Sequence, residues 1–161
     1  MTKDLEQFKK LWNFHRGHTL DLLKTLSDEE LGFSVGQNMG TLGQQFCHLC
    51  RVDDQYISAI ETLRVENNRK KLEFPLETSV SKLTEQLEGD GRKLFQIIKD
   101  MSEESVENIK IDWTYWKEKE LGLLEHLNNM LEHEILHHGQ LIVYFRIMNK
   151  KFPESWSAWG I

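Results

Sequence analysis

Three histidines in two separate stretches of the chain have the spacing of a metal site. His133 and His137 stand four residues apart in the run HEILHHGQL. On an α-helix that spacing puts both imidazoles on one face, about 6 Å apart, so both rings can reach one metal ion. His48 lies far upstream in a second helical stretch, TLGQQFCHLCRVDDQY. If the fold brings His48 opposite the pair, the chain carries a three-histidine site with room for an exchangeable ligand.

A histidine pair on a helix also arises by chance on solvent-exposed faces. Here the pair interrupts the apolar side of its helix, and His48 lies beside Leu49 and Val52. Burying bare imidazoles costs free energy unless the rings find partners, and a metal ion is such a partner. The surroundings therefore favour a metal site over a solvated pair.

Three neutral imidazoles suit zinc, nickel, cobalt or ferrous iron. Of these we expect zinc or nickel, with iron or cobalt as alternatives. A metal with only three protein ligands lowers the pKa of a bound water or thiol, which becomes a nucleophile near neutral pH. Glu134 and Gln44 are the nearby side chains that we consider for assisting proton transfer in a catalytic site.

The run from His133 to His137 also matches HExxH, in which two histidines hold zinc and the glutamate is the general base of a metalloprotease. An all-helical chain offers no sheet edge for an extended peptide. Beyond His137 the only acidic residue is Glu154, in the tail. A metal hydrolase is therefore the weaker interpretation, although Glu134 could still act as a base or orient a ligand.

Cys47 and Cys50 flank His48 in a CxxC pattern. Two cysteines cannot form a four-thiolate zinc site, and no βαβ pattern supports a thioredoxin motif. We expect small, partly buried helix residues. The alternative is a redox-sensitive or metal-assisting thiol beside the site.

Apolar residues spaced three and four apart predict four long helices at about residues 3–26, 41–68, 78–101 and 117–149. Ser27 with Glu30 and Thr41 with Gln44 are typical of capping boxes. The polar run ENNRKKLEFPLE is a connection, and the tail FPESWSAWGI is too short for an element but could pack its tryptophans over the bundle. No β-alternation is convincing. Asp90 falls in the apolar side of the third helix. It could orient a metal ligand or line a cavity, but we expect it to reach water.

The pattern therefore predicts an all-α four-helix bundle, a fold whose core commonly holds metal ligands. A length of 161 residues fits one domain, 1–161. The net charge of −6, without a long basic run, argues against nucleic-acid binding. The sequence contains no run of eighteen apolar residues, so we expect no membrane span. The charged start, MTKDLEQFKK, lacks an apolar signal core, so we expect a cytoplasmic protein.

Over its whole length the chain resembles the DinB-like superfamily of metal-binding four-helix bundles. The segment TLGQQFCH at 41–48 is similar to the family's T-I-G-E-L-L-A-H, which ends on a ligand histidine. The family's H-x-x-x-H-x-G-Q corresponds to His133, His137, Gly139 and Gln140. The first helix leading into LSDEEL at 26–31 is similar too. The loop GQNMG, in place of a turn that more usually contains proline, and the two cysteines depart from the pattern.

The resemblance implies His48, His133 and His137 as ligands of a divalent metal in an up-down-down-up bundle with a long crossover between the second and third helices. It also implies a homodimer, and relatives include bacillithiol S-transferases and mycothiol-dependent isomerases. The function we expect is therefore a metal-dependent S-transferase that presents a low-molecular-weight thiol to a small electrophile. The alternative from another class is a stress-related bundle that binds metal without turnover.

Overall fold

Four long helices form the frame of the protein in a computed structural model that describes residues 1–66, 76–117 and 119–161. They are α1 (Lys3–Lys24), α2 (Leu42–Thr62), α3 (Val80–Ile98) and α6 (Leu123–Ile147). Short helices α4 (Glu103–Asn108) and α5 (Thr114–Lys117) precede α6, and 3-10 turns cover Glu30–Gly32, Leu76–Thr78 and Glu154–Trp159.

Side-chain caps fix where the first three long helices begin. Thr2 caps α1, and Ser79 caps α3 by accepting from the backbone N–H of Lys82. Both predicted capping boxes form. Thr41 and Gln44 exchange hydrogen bonds at the start of α2, and Ser27 and Glu30 exchange them after α1. These bonds satisfy N–H groups that a helix start leaves without partners.

The helices run up-down-down-up, as the resemblance implied. Helix α1 packs against α3 and α6, and α2 packs against the same two helices. One apolar cluster joins the beginnings of α1 and α6 to the ends of α2 and α3. A second joins the end of α1 and the end of α6 to the beginnings of α2 and α3. The all-α bundle is therefore confirmed.

A buried polar layer separates the two apolar clusters at mid-height. Each long helix contributes to it where its own apolar side passes from one cluster to the other. Its members are at most 6% exposed and include Arg16 and Thr19 on α1, Asp53 on α2, Asp90 on α3, and Glu134 and His138 on α6. The expectation that Asp90 reaches water is wrong, since it is 6% exposed.

The expectation that the chain has no β-structure is wrong at one place. Strands β1 (Lys110–Asp112) and β2 (Glu120–Gly122) pair antiparallel, with Ile111 opposite Leu121. Each strand has only three residues, which is too short for an alternation of apolar and polar residues to be recognised in the sequence. The pairing also explains why α6 begins at Leu123 and not near residue 117.

Helix α2 ends at Thr62, six residues before the predicted end. Leu63 adopts a left-handed backbone with φ 55°, which stops the helix. The following chain pairs with β1 instead: Val65 N–H donates to the Asp112 carbonyl, and Asp112 N–H donates to the Leu63 carbonyl, each at 2.9 Å. The remainder of the predicted connection, residues 67–75, lies outside the described residues.

The C-terminal tail packs on the bundle, although it forms a 3-10 segment where no element was expected. Trp156 is 1% exposed and its indole N–H donates to the carbonyl of His18, whereas Trp159 stays half-exposed. Within the described ranges, none of the helices combines the length and apolar character needed to span a bilayer.

Candidate metal centre

The structure brings His48, His133 and His137 together between α2 and α6. One ring nitrogen from each residue lies within 4.8 Å of the others. The Nε2 atoms of His48 and His133 are 3.3 Å apart. The ring centres of His137 lie 4.9 Å from His48 and 4.6 Å from His133. Donor atoms at these separations can point at one cation, so the group could hold a metal ion.

The three rings differ in their exposure to solvent. His48 is exposed, His133 is half-buried and His137 is 5% exposed. The site therefore has an outer side at His48 and an inner side at His137. The Nδ1 atom of His137 is buried and has no hydrogen-bond partner in the described part of the chain.

Burial keeps these imidazoles neutral. It lowers the pKa of His133 to about 4, with help from the neighbouring His48. It lowers the pKa of His137 to about 3, together with His133 and His48. Burial and then the positive charge of Arg51 lower the pKa of His48. Neutral rings have lone pairs available, which is the state a metal ligand requires.

Glu134 points into the polar layer. Its carboxylate accepts hydrogen bonds from Arg16, from Nη2 at 2.7 Å and from Nε at 2.9 and 3.1 Å, and from the Thr19 hydroxyl at 2.5 Å. Burial opposes ionisation, but the charge of Arg16 and these hydrogen bonds lower the pKa of Glu134. The predicted base is thus an ionised carboxylate whose two oxygens are both engaged.

Gln44, the other side chain considered for proton transfer, lies on the exposed start of α2, one turn before His48. Its Oε1 accepts from the backbone N–H of Thr41 at 3.0 Å. This bond is half of the capping box, so the side chain has a structural task.

Arg16 connects both helices that carry the histidines. Its Nη2 donates to Asp53 on α2 at 2.6 Å and to Glu134 on α6 at 2.7 Å, and Nη1 donates to the Leu87 carbonyl on α3 at 3.2 Å. Sequence reasoning missed this network. The signal was present, because Arg16 continues the spacing of Trp12 and Thr19 on the inner side of α1.

Cys47 and Cys50 are free and buried, 2% and 0% exposed. Burial raises the pKa of both thiols, that of Cys50 well above its ordinary value. Both lie in the second apolar cluster with Phe46 and Leu49. They match the expectation of small buried helix residues.

Two of the four remaining histidines, His126 and His15, are buried elsewhere in the bundle. His126 is fully buried: its Nδ1 accepts from the indole N–H of Trp113 at 3.1 Å, and its Nε2 lies 2.9 Å from the carbonyl of Tyr56. His15 is buried in the polar layer. Neither belongs to the group of three that could hold a metal.

Comparison with known proteins agrees with this architecture. The model of the DinB family matches residues 1–153. A solved structure of a DinB-like protein from Bacillus subtilis (YjoA) is similar in fold, with a TM-score of 0.72 and 20% identity, covering 92% of this chain and 97% of that one. The comparison with curated proteins gives no match. The fold is that of a four-helix bundle of the DinB-like type. Because the family model matches nearly the whole chain, the chain belongs to the DinB family.

Proposed function

We propose that this protein is a metal-dependent enzyme that holds a divalent metal through His48, His133 and His137 and transfers a low-molecular-weight thiol to a small electrophile. The convergence of three imidazoles from α2 and α6 within 4.8 Å carries the proposal. His48 and His133 are 85 positions apart in the sequence, so it is the fold that brings their rings together.

The residues fit a divalent transition metal. The donor set is three nitrogens without a carboxylate, which suits zinc or nickel, or iron or cobalt, better than magnesium or calcium. The low pKa values of His133 and His137 keep their lone pairs free at neutral pH. A metal bound there would lower the pKa of a thiol and so favour the nucleophilic thiolate.

The chain's own residues favour a negatively charged thiol. His48 is on the solvent side of the site, so a small molecule can approach there without a change in the bundle. Arg51, one turn further along α2, places a positive charge close enough to act on the His48 ring. A cation beside the open side attracts anionic ligands. Low-molecular-weight thiols that carry carboxylates meet that description.

The proposal also includes the remaining expectations from the sequence. They are a single domain over 1–161, a homodimer and a cytoplasmic location. The partners are a small thiol and a small electrophile, and neither nucleic acid nor a membrane.

The test combines elemental analysis with a conjugation assay. Purified protein is expected to contain about one metal ion per chain, and His48→Ala, His133→Ala and His137→Ala are each expected to lose it while keeping the helical circular dichroism. Glu132→Ala is the matched control, because Glu132 is an exposed carboxylate next to His133. Full metal content after replacing all three histidines would refute the ligand assignment.

Turnover is tested with a chromogenic electrophile, several thiols and each candidate metal. A rate that needs both metal and thiol, and that is lost in the three alanine variants, supports transferase activity. Absence of a metal-dependent rate with every thiol would refute it and leave the ligand assignment intact.

One observation favours a second candidate, a metal-binding bundle without turnover. Both oxygens of Glu134 are engaged by Arg16 and Thr19, so this carboxylate is not free to serve as a general base. The same observation weighs against an HExxH hydrolase. In a hydrolase, Glu134→Gln would remove cleavage of a casein-like substrate, and we expect no cleavage by the unmodified protein.

A further inference from the structure

A cavity lies on the opposite side of α6 from the three histidines. Its volume is about 260 Å³, and it opens between α6 and the C-terminal 3-10 segment. At 100° per residue, Ile135, Gly139 and Ile142 fall on the side of the helix away from His133 and His137. Its walls are aliphatic and aromatic side chains from these two elements and from the last residue of the sequence: Ile135, Ile142, Trp156, Trp159 and Ile161.

The imidazole of His138 is the polar ring in this lining. Its Nε2 lies 2.8 Å from the hydroxyl of Thr19, and that hydroxyl lies 2.5 Å from Oε1 of Glu134. Glu134 is held as a carboxylate by Arg16 and can only accept. The carbonyl of His15 is a second acceptor near the Thr19 hydroxyl but lies farther away, at 3.4 Å, so the single hydroxyl hydrogen of Thr19 is directed to Glu134. The Thr19 oxygen must then accept from the Nε2–H of His138.

This order of protons leaves Nδ1 of His138 as an acceptor. Within the described residues Nδ1 makes no hydrogen bond, and it is not among the buried nitrogens that are cut off from solvent, as Nδ1 of His15 is. His138 lines the cavity, and its Nδ1 is the one hydrogen-bond acceptor that this ring can offer to a ligand there. The hydrogen bonds from Arg16 through Glu134 and Thr19 hold the ring in place.

Gly139 forms an open part of the lining. It lies inside α6, where glycine is an unfavourable helix residue, and its backbone does not require glycine, since its φ is not positive. A Cβ added at Gly139 would meet nothing within 4 Å. The missing side chain thus leaves space, which a larger residue would occupy.

We propose that this cavity is a binding site for a neutral small molecule with one aromatic ring and one O–H or N–H donor. The ring would lie between the isoleucines and the tail indoles, and the donor would bond to Nδ1 of His138. The volume is below the roughly 300–1,000 Å³ of pockets for drug-sized ligands, which limits the occupant to about one ring. A charged ligand would find no opposite charge in this lining.

Phenol is the probe, and anisole, which has the same ring without the donor, is its matched control. The protein is titrated while ¹H–¹⁵N spectra follow the indole N–H signals of Trp156 and Trp159, and two-bond correlations from the ring C–H protons follow Nδ1 of His138, which carries no proton. We expect phenol to shift all three and to bind about 2- to 10-fold more tightly than anisole, the difference that one neutral hydrogen bond makes. Equal affinity, or shifts that spare His138 and both tryptophans, would overturn the proposal.

Filling the cavity gives the second test. Gly139→Leu is expected to weaken phenol binding at least tenfold, and Gly139→Ala to weaken it less while folding normally. Gly17→Leu is the control, because Gly17 is also a helical glycine with open space beside it. His48→Ala is expected to leave phenol affinity unchanged, which separates this site from the metal centre. If Gly139→Leu changes the mass in solution and not phenol affinity, the surface joins two copies of the chain and the proposal fails.

Discussion

Arg16 and Glu134 form a buried ion pair, with side chains 6% and 2% exposed and a closest N–O distance of 2.7 Å. The same guanidinium lies 2.6 Å from Asp53. Glu134 adjoins His133 on α6, and Asp53 is five residues after His48 on α2. One arginine on α1 thus ties together the two helices whose histidines converge.

Loss of Arg16 should therefore destabilise the fold strongly. Removing one partner of a buried ion pair leaves an uncompensated charge and costs about 3–5 kcal/mol. We expect Arg16→Met to lower the free energy of urea unfolding by about that amount, and to weaken metal binding because α2 and α6 lose their common tie.

Lys93→Met is the control for Arg16→Met. Lys93 pairs with Glu61 at 2.8 Å, but both side chains are 47% exposed, and exposed pairs contribute about 0–1 kcal/mol. If both variants lose the same stability, the buried network is not a structural tie.

The frame of the protein follows directly from its sequence. Amphipathic spacing and the caps at Thr41 and Ser27 are local signals, and they predicted all four long helices. The predicted end of α2 near residue 68 and the predicted start of α6 near residue 117 were wrong. The observed limits at Thr62 and Leu123 depend on pairing between β1, β2 and the chain after Leu63, which local periodicity does not report. The buried position of Asp90 likewise depends on which helices face it.

The histidine triplet was predictable only in part. The spacing of His133 and His137 follows from the helix repeat, whereas the approach of His48 needs the antiparallel packing of α2 on α6. The spacing of Arg16 places it on the inner side of α1, but it was missed because its partners Asp53 and Glu134 are distant in sequence and only the fold brings them to it. Metal binding itself stays a prediction.

Acid should weaken the fold through His126. Burial lowers the pKa of His126 to about 4, although the Tyr56 carbonyl acts in the opposite direction. Between pH 6.5 and about 4, His126 therefore binds a proton in the unfolded chain but stays neutral in the folded chain. The stabilisation is complete above pH 6.5 and is lost as the pH falls through this interval, by about 3 kcal/mol.

The measurement is the free energy of unfolding of the metal-free protein between pH 7 and 4, for the natural chain and for His126→Gln. The pKa values of His133, His137 and His138 are also lowered, so the natural chain has a steep dependence. Between pH 7 and 4 we expect His126→Gln to lose less free energy of unfolding than the natural chain, and the difference to be the contribution of His126, about 3 kcal/mol. Parallel curves would contradict this prediction.

The two cysteines should be unreactive in the folded protein. Both are buried, and burial raises the pKa of both thiols, so little of the reactive thiolate exists at pH 8. With a chromogenic disulfide reagent we expect no fast reaction in the native state and two thiols per chain after denaturation. Metal content should survive Cys47→Ala combined with Cys50→Ala. A fast native reaction, or loss of the metal, would instead assign a thiol to the site.

Gly43 should be the helical glycine that tolerates no side chain. The 3-10 turn Leu76–Thr78 packs against α2 at this point, and a Cβ at Gly43 would overlap the backbone carbonyl of Glu77 and lie 3.1 Å from Cβ of Leu31. A backbone carbonyl cannot swing aside as a side chain can, so overpacking should exceed the gain in helix propensity. We expect Gly43→Ala to lose about 1–3 kcal/mol in thermal or urea unfolding, whereas Gly17→Ala, with nothing within 4 Å, should gain up to about 1 kcal/mol. Equal stability of the two variants would mean that the turn does not hold the position against α2 that the structure gives it.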